Sequence, residues 1–486
     1  YLHCFCNKLP IMHLNNYVWR LQMPNDKDTH VSKLSSKEAS YFIGKDKMAV
    51  VLSALASGNR INLTEALEPL HPADIADLIE QLSTTDRARF IRLYDNEFYG
   101  DILSEIDEHI REQVISELNP DVLAEAVRDL ESDDVVDLVE DLEEKQKETI
   151  LNALAEGDRV AVQSLLSYPE QSAGRLMQRE VVMAPEHWSV GMAIDFLRNN
   201  ANLPEQFYHI VLVDPRLHPV GNVSLGKLMS SKRSVLLKTI IEDAFQVIPA
   251  DQHEADVAYA FNQYHLISAP VIDSENRVVG VITIDDAMVV LDEELEEDIL
   301  LLAGVGGDSS VSDTILETVR GRLPWLAVNL VTAILASIVI AQFEETIAQF
   351  VALAILMPII VSMGGNAATQ SLTMAVRAIA TKDISSTNIG RVIRREIGVG
   401  VLTGLIFAFS MGLIGVIWFG TAMLGVVIAL SMLINLIVAN LAGTTIPVLL
   451  EKLEIDPALA SGAFVTTVTD VVGFFAFLSI AGILLL

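Results

Sequence analysis

Cysteines, basic residues and catalytic motifs are all scarce in this 486-residue sequence, and each scarcity excludes a class of protein. Cys4 and Cys6 are the two cysteines, and no Cys and His residues have the spacing of a zinc site, which excludes a disulfide framework and a structural zinc. Basic residues number 33 against 64 acidic ones, so nucleic acid is not an expected partner. A glycine-rich phosphate loop, a nucleophile elbow and a metalloprotease helix motif are absent, which argues against an enzyme.

The acidic excess is confined to the first two-thirds of the chain. The net charge is −31, yet the mean hydropathy is +0.40. From Gly321 onward there are 7 basic and 8 acidic residues, so about −30 of the charge precedes this point. The sequence therefore predicts an acidic water-soluble portion joined to a nearly neutral apolar one. Metal cations or basic proteins are expected partners of the acidic portion, although solubility alone would also explain its charge.

Five apolar stretches follow residue 320, and each is long enough at ~1.5 Å per residue to cross a ~30 Å hydrocarbon layer. The predicted spans are 323–343, 347–376, 398–419, 423–448 and 462–486. The second span is too long for one straight helix and contains Pro358 and Gly364-Gly365, so we expect it to be kinked, broken or extended into the cytoplasm.

Basic residues of short loops favour the cytoplasmic side of a membrane. They lie before the first span, between the second and third, and between the fourth and fifth, whereas the other two loops contain none. This pattern predicts a multi-pass protein of the cell's inner (plasma) membrane, embedded in the lipid bilayer. The soluble portion would lie in the cytoplasm and the C-terminus outside.

Asp470 is the most informative residue of the apolar portion. It lies near the middle of the fifth span, where an isolated carboxylate costs ~2.5–3.5 kcal/mol even by low estimates. Thr466 and Thr467 share its helix face, which we therefore expect to line water. The alternative is a protonated, buried Asp that is hydrogen-bonded to a neighbouring helix.

The second span contains the other polar set, which includes Asn366. An interruption at Pro358 and Gly364-Gly365 would free backbone carbonyls, and membranes tolerate this only beside a cavity or inside protein. Oxygen ligands with few charges suit a hard cation. Mg²⁺ in particular sheds water reluctantly and binds through one or two carboxylates. One Asp per chain, doubled by a two-fold dimer, matches this requirement.

One pattern occurs twice before the spans. His209 to Met229 resembles Ala269 to Val290, and each contains a strand, a turn, Val-Gly, a second strand and the start of a helix. With the helices upstream, this order resembles a tandem pair of CBS domains, predicted at 177–240 and 241–297. Such modules often bind adenine nucleotides, so ATP is a candidate ligand. The acidic residues near Asp285-Asp286 mean that a metal ion is an alternative ligand of the CBS pair.

Residues 48–170 are predicted to form a helical array of short repeats, because "PADIADLIEQL" and "DDVVDLVEDLEE" both have apolar residues at helical spacing. Two acidic runs, Asp129 to Glu148 and Asp292 to Asp298, would repel each other unless cations bridged them. Residues 1–47 are predicted to be a flexible N-terminal extension, not a secretory signal.

The order of these parts resembles the MgtE family of magnesium transport proteins over about residues 48–486. The strongest resemblance lies in Pro358 to Ile384, Gly443 to Gly473 and Val281 to Ile299. The first CBS repeat departs from the pattern, because its turn is less acidic. The implied fold is multidomain: an all-α superhelical N domain (48–170), α/β tandem CBS domains, a connecting or plug helix (298–320) and a five-helix α transmembrane domain (321–486).

The resemblance implies a homodimeric, magnesium-selective channel that serves magnesium homeostasis. Its second and fifth spans would line the pore, with Asp470 facing the hydrated ion and Asn366, Pro358 and Gly364-Gly365 shaping the path. Cytoplasmic Mg²⁺ would bind between the N domain and the CBS pair and close the pore. The candidate sensor residues are acidic and lie on both sides of that contact: Asp134, Asp137, Asp286, Asp292, Glu294, Glu297 and Asp298.

Two other functions stay open at this point. A membrane-anchored nucleotide sensor would use the CBS pair for binding and the spans only to relay a signal, but it leaves the mid-membrane Asp470 unexplained. A divalent cation transporter of other specificity, for Co²⁺ or Mn²⁺, has the same sequence features.

Overall fold

The computed structural model describes residues 44–486 except 129, 141, 143, 201–202, 205, 308, 311–313, 385–386 and 454. The extension predicted at 1–47 lies outside the described residues up to residue 43. Its last three residues belong to the first helix, which begins at Lys45.

Short helices build the first part of the described chain, and serine, proline or histidine begins several of them. Ser83 caps the fourth helix by accepting from the Asp86 N–H, and Pro72 occupies the first turn of the third. Each helix buries one apolar stripe in a common core. The helices are α1 Lys45–Ser57, α2 Arg60–Leu67, α3 Pro72–Glu80, α4 Thr84–Tyr94, α5 Gly100–Ser104, α6 Glu108–Glu117, α7 Pro120–Arg128, α8 Ser132–Glu140, α9 Glu144–Ala153, α10 Glu156–Leu165 and α11 Ala173–Leu176.

Two α/β units of identical order follow, which confirms the predicted CBS pair. In each, the first strand pairs parallel with the second, the second pairs antiparallel with the third, and the register shifts near the end of the middle strand. The first unit contains β1 Met183–Pro185, α12 Val190–Asn199, β2 His209–Val213, β3 Pro219–Ser224 and α13 Leu225–Ser230. The second contains β4 Ile248–Pro249, α14 Glu254–Tyr264, β5 Ser268–Ile272, β6 Val278–Thr283 and α15 Ile284–Leu302.

The prediction of one connecting helix over 298–320 is wrong. The acidic helix α15 ends at Leu302, and the next helix begins only at Ile315, where Thr314 supplies the N-cap. Gly304 adopts a φ of +74° just after α15, in the left-handed region that favours glycine. The connection to the membrane portion is therefore α15 itself, followed by a glycine-containing turn.

The membrane portion contains six described helices, and all except the short α17 are long and apolar enough to span a bilayer. The fourth of these spans, α20, is the most buried and packs against α18, α19 and α21. The predicted five-helix domain is thus confirmed. The helices are α16 Ile315–Ala341, α17 Glu344–Gln349, α18 Val351–Ala380, α19 Ile389–Phe419, α20 Ala422–Lys452 and α21 Pro457–Leu485.

Of the alternatives predicted for the second span, a break is not observed, and a continuous helix of 30 residues agrees with a span that extends beyond the hydrocarbon layer. α18 is one continuous helix through Pro358, Gly364 and Gly365. A proline removes only one backbone N–H, so a helix can continue past it when neighbouring helices support it. Gly364 is buried against the side chain of Asn435 on α20, which leaves no room for a Cβ. This glycine therefore permits close packing of two helices and does not break one.

The soluble part contacts the end of the helix bundle where the α18–α19 and α20–α21 loops lie. Leu301 at the end of α15 is buried with Leu372 and Val376 of α18 and with Ala458 of α21. In the α18–α19 loop, Lys382 forms an ion pair with Asp256 of α14. Both contacts join the CBS pair directly to the membrane helices.

Gly443 offers a test of the packing between α18 and α20. A Cβ at this position would lie 2.5 Å from the carbonyl oxygen of Ala368, whereas a Cβ on Gly398 of α19 would meet nothing within 4 Å. We expect Gly443→Ala to cost about 1–3 kcal/mol of stability through overpacking. Gly398→Ala should be neutral or stabilising, because alanine is the better helix former. Thermal unfolding of the detergent-purified protein measures both, and equal midpoints for the two variants would contradict this packing.

Candidate functional site

Asp470 lies half-buried on α21 without a hydrogen-bond partner in the described part of the chain. One turn earlier, the Thr466 hydroxyl donates to the carbonyl of Gly462 at 2.9 Å and the Thr467 hydroxyl to that of Ala463 at 2.6 Å. Both threonine oxygens keep lone pairs for a further partner. The alternative of an Asp bonded to a neighbouring helix is therefore not observed among the described residues.

A polar stripe lies exposed along α18. Ser362, Asn366, Thr369 and Thr373 are exposed and follow one another at spacings that place them on one helix face. Pro358 is exposed one turn before Ser362 on the same face. Lipid tails offer no hydrogen bonds, so a face of this kind needs water or another polar surface inside a membrane.

Asn435 of α20 joins the helix that carries the polar stripe to the helix that carries Asp470. Its side chain is fully buried, and its Nδ2 donates to the carbonyl of Ile360 on α18 at 2.7 Å. It also packs against Gly364 of α18 and against Gly473, one turn after Asp470 on α21. Of the predicted pore residues, Gly364 therefore packs inside the bundle, whereas Asn366 and Pro358 lie on the exposed stripe.

The start of α8 docks onto the segment that precedes the CBS strands. The Ser132 hydroxyl donates to Glu180 at 2.8 Å and accepts from the backbone N–H of Arg179 at 2.9 Å. Gln178 donates to Glu131. These bonds hold the acidic end of α8 against the start of α15, where Asp286 accepts a 2.8 Å bond from Thr283 and completes a capping box.

The resulting group of carboxyls is here called the interface cluster. It comprises Glu131, Asp133, Asp134, Glu180, Asp285 and Asp286. Burial, followed by the neighbouring carboxyls, raises the pKa of Glu131, Asp134 and Asp286 to about 7 each. The same causes raise the pKa of Asp133 well above its usual value. In this contact the charged forms repel one another, so protons or cations stabilise it.

Two smaller acidic groups continue along α15 toward the membrane. Burial and then Glu293, Glu294 and Glu140 raise the pKa of Glu254 on α14 to about 7. Nearer the membrane, burial and then Asp456 and Glu294 raise the pKa of Asp298 to about 6. Asp456 caps the N-terminus of α21, the helix that carries Asp470. Acidic groups therefore extend from the N domain to a membrane helix.

The structure brings some of the predicted sensor residues together and separates others. Asp134 and Asp286 meet in the interface cluster, and Glu294 and Asp298 lie near Asp456. Glu297 lies beside Gly307 in the turn after α15. By contrast, Asp137 pairs with Arg111 of its own domain at 2.9 Å, and Asp292 is exposed on α15.

Sequence reasoning did not select Glu131, Asp133, Glu254 or Asp456. Glu131 and Asp133 lie within the predicted acidic run, and only the docking of α8 distinguishes them from its other acids. For Asp456 the signal was present, since Asp-Pro is a typical helix start. Among the described residues, no three His, Cys, Asp or Glu side chains form a ready-made metal cage.

Comparison with known proteins gives matches along most of the chain. A family model described as a divalent cation transporter, MgtE, matches residues 357–480, an MgtE intracellular N domain model matches 70–171, and a CBS domain model matches 237–293. The chain is 33% identical over 452 residues to the magnesium transporter MgtE of Thermus thermophilus, which covers 91% of this chain and 99% of that protein.

The chain is also similar to a second magnesium transporter and to a solved cytosolic domain. The magnesium transporter MgtE of Enterococcus faecalis is 34% identical over 320 residues, 66% of this chain and 70% of that protein. The crystal structure of the cytosolic domain of the Mg²⁺ channel MgtE in complex with ATP is 27% identical, covers 50% of this chain and 99% of that chain, and gives a TM-score of 0.46.

The interface cluster makes the contact between α8 and α15 depend on pH. Separated carboxyls titrate near pH 4, by rough reference values, whereas three in the contact titrate at about 7. The contact therefore binds more protons than the separated domains, so its electrostatic penalty is absent below about pH 4 and complete above about pH 7. Without divalent cations, we expect protection of the segment between α10 and β1 from protease to fall between about pH 5.5 and about pH 8.

Added Mg²⁺ should restore this protection at the higher pH, because the cation replaces the protons. The double variant Asp134→Asn with Asp286→Asn should show a smaller pH dependence. Equal protection at both pH values in the unmodified protein would contradict the electrostatic account of this contact.

Proposed function

This chain belongs to the MgtE family of divalent cation transporters, and we propose that it forms a magnesium-selective channel for Mg²⁺ influx that cytoplasmic Mg²⁺ closes. The observation that carries the proposal is Asp470, a mid-membrane carboxylate without a protein partner among the described residues. A charge in this position is expensive unless it contacts water or an ion, so a cation path is the simplest role for it.

Two copies of the chain would complete the pore. The polar stripe of α18 is exposed in one copy, and an isologous two-fold contact would enclose it together with the Asp470 face of α21. The pore would then contain two carboxylates and several hydroxyl and amide oxygens. Asn366, Thr466 and Thr467 are suited to hydrogen-bond the water that Mg²⁺ retains.

The chemistry of this path favours Mg²⁺ over other ions. A hard cation prefers oxygen ligands, and the pore residues proposed above offer oxygen only. Calcium sites use six to eight oxygens with several carboxylates, whereas the path offers one Asp per chain. Co²⁺ and Mn²⁺ remain competitors whose rejection depends on how much water the path leaves on the ion.

The acidic groups along α15 supply the proposed gate. Mg²⁺ would bind where acidic surfaces meet, namely the interface cluster, the group around Glu254 and the pair Asp298 and Asp456. Because these carboxyls approach one another only in the compact arrangement, cations favour that arrangement by population shift. The end of α15 packs against both α18 and α21 through Leu301, so compaction of the soluble part would hold both helices in the closed position.

The loops that contact the soluble part support the proposed orientation. Lys382 of the α18–α19 loop and Lys452 at the end of α20 lie at the same end of the bundle as the CBS pair, which supports a cytoplasmic location for that part and an external C-terminus. Magnesium released in the cytoplasm would then reach the sensor directly.

A nucleotide sensor is the second candidate, and ATP binding by the CBS pair stays a prediction. The two functions are compatible, because a nucleotide bound to the CBS pair could bias the same gate. A sensor without transport would still leave the Asp470 face and the polar stripe of α18 without a role.

Replacement of Asp470 tests the pore assignment. We expect Asp470→Asn to reduce Mg²⁺ uptake into proteoliposomes by at least about tenfold, which corresponds to about 1.4 kcal/mol of lost stabilisation of the ion in the path. A Mg²⁺-sensitive dye inside the liposomes measures uptake. Glu344→Gln is the matched control, because it removes a carboxylate from α17, which lies at the end of the bundle opposite to the soluble part. Unchanged uptake and unchanged preference over Ca²⁺ in Asp470→Asn would refute the assignment.

A further inference from the structure

Lys382 makes a contact between the membrane helices and the CBS pair that the proposed gate does not use. It lies in the loop after α18 and forms an ion pair with Asp256 near the start of α14. Its ammonium also lies 4.6 Å from the centroid of the Tyr259 ring. Asp256 and Tyr259 are three residues apart and therefore share one face of α14. Lys382 makes two contacts with this face, an ion pair and a cation–π contact.

The conformation and hydrogen bonds of the α18–α19 loop hold Lys382 in place. Its backbone takes a φ of +54°, a left-handed conformation that is uncommon for a residue with a side chain. The Lys382 N–H donates to the carbonyl of Ile379 at 2.8 Å and the Ile384 N–H to that of Ala378 at 3.0 Å. The Thr381 hydroxyl lies 2.9 Å from Asp383, whose carbonyl accepts from Asn388 at 2.7 Å. These bonds fix Lys382 to the end of α18.

α14, the helix that Lys382 contacts, lies close to acidic residues of the N domain and of α15. Glu254, at the start of α14, lies near Glu140 of the N domain and near Glu293 and Glu294 of α15. Asp256 in turn contributes to the field at Glu294. Lys382 of the membrane portion therefore places a permanent positive charge beside α14, where acidic residues of the N domain and of α15 lie close together.

We propose that Lys382 is a positioning residue that holds the cytoplasmic end of α18 against α14 through Asp256 and Tyr259 and so favours the closed pore. The connection acts in parallel with α15, which reaches α18 and α21 by apolar packing. It rests on the proposed function, since it requires a pore that cytoplasmic Mg²⁺ closes. The ion pair of Lys382 and the assembled interface cluster occur in the same structure. We therefore link the ion pair to the compact arrangement of the soluble part.

Charge reversal tests this connection. Lys382→Asp and Asp256→Lys should each raise the internal Mg²⁺ concentration for half-maximal closure by about three- to tenfold, the effect expected for one exposed ion pair with a cation–π contact. The double reversal should return this concentration toward the unmodified value, and Lys382→Arg should preserve it. Arg391→Gln, which removes a charge from the start of α19, serves as the control and should leave it unchanged.

The measurement is Mg²⁺ uptake by proteoliposomes as a function of internal Mg²⁺, and uptake at low internal Mg²⁺ verifies that each variant is folded. If the single reversals close at the same concentration as the unmodified protein, the connection is refuted while Mg²⁺ gating stands. A double reversal that is no closer to the unmodified protein than the singles also refutes it. If the unmodified protein does not close with Mg²⁺ at all, the proposed gating fails and the connection fails with it.

Discussion

Repulsion between carboxylates on facing surfaces is the constraint on which the soluble part depends. The interface cluster buries acids of α8 against acids of α15, and burial raises three of their pKa values to about 7. Hydrogen bonds from Ser132 and Gln178 align the two surfaces but do not neutralise them. Bound protons or cations stabilise a contact of this kind, and its stability therefore depends on their concentration.

The same constraint reaches the membrane because α15 is shared. It begins in the interface cluster with Asp286, passes the group around Glu254 and ends with Leu301 against α18 and α21. A rigid helix of 19 residues spans about 28 Å, since each residue adds about 1.5 Å. One element thus connects the acidic surfaces to both helices proposed to line the pore. Coupling over this distance needs no further intermediate, because the two ends of one helix move together.

The parts of the fold with a strong periodic signal could be predicted from the sequence, and the details that depend on tertiary contacts could not. Five apolar spans and the duplicated strand order of the CBS pair are local patterns, and both are confirmed. The roles of Gly364 and Gly304 needed the structure: the first packs against Asn435 instead of breaking α18, and the second ends α15 early.

The candidate sites divide in the same way. Asp470 could be found because a lone acid in an apolar span is conspicuous in any sequence. The acids that meet across domains could not be ranked by charge density alone. Asp137 pairs with Arg111 within its own domain, whereas Glu131 becomes important only because it lies against Glu180, Gln178 and Asp286.

The distance between the N domain and the CBS pair, measured against Mg²⁺ in proteoliposomes, tests the central claim most directly. Spin labels at Glu148 and Glu275, in a chain with Cys4 and Cys6 replaced by serine, would report it by pulsed electron resonance on frozen samples. Uptake would be recorded separately on the same preparation at the same Mg²⁺ concentrations. The account predicts that the distance shortens over the concentration range in which uptake stops. A distance distribution that Mg²⁺ leaves unchanged while it inhibits uptake would contradict the account.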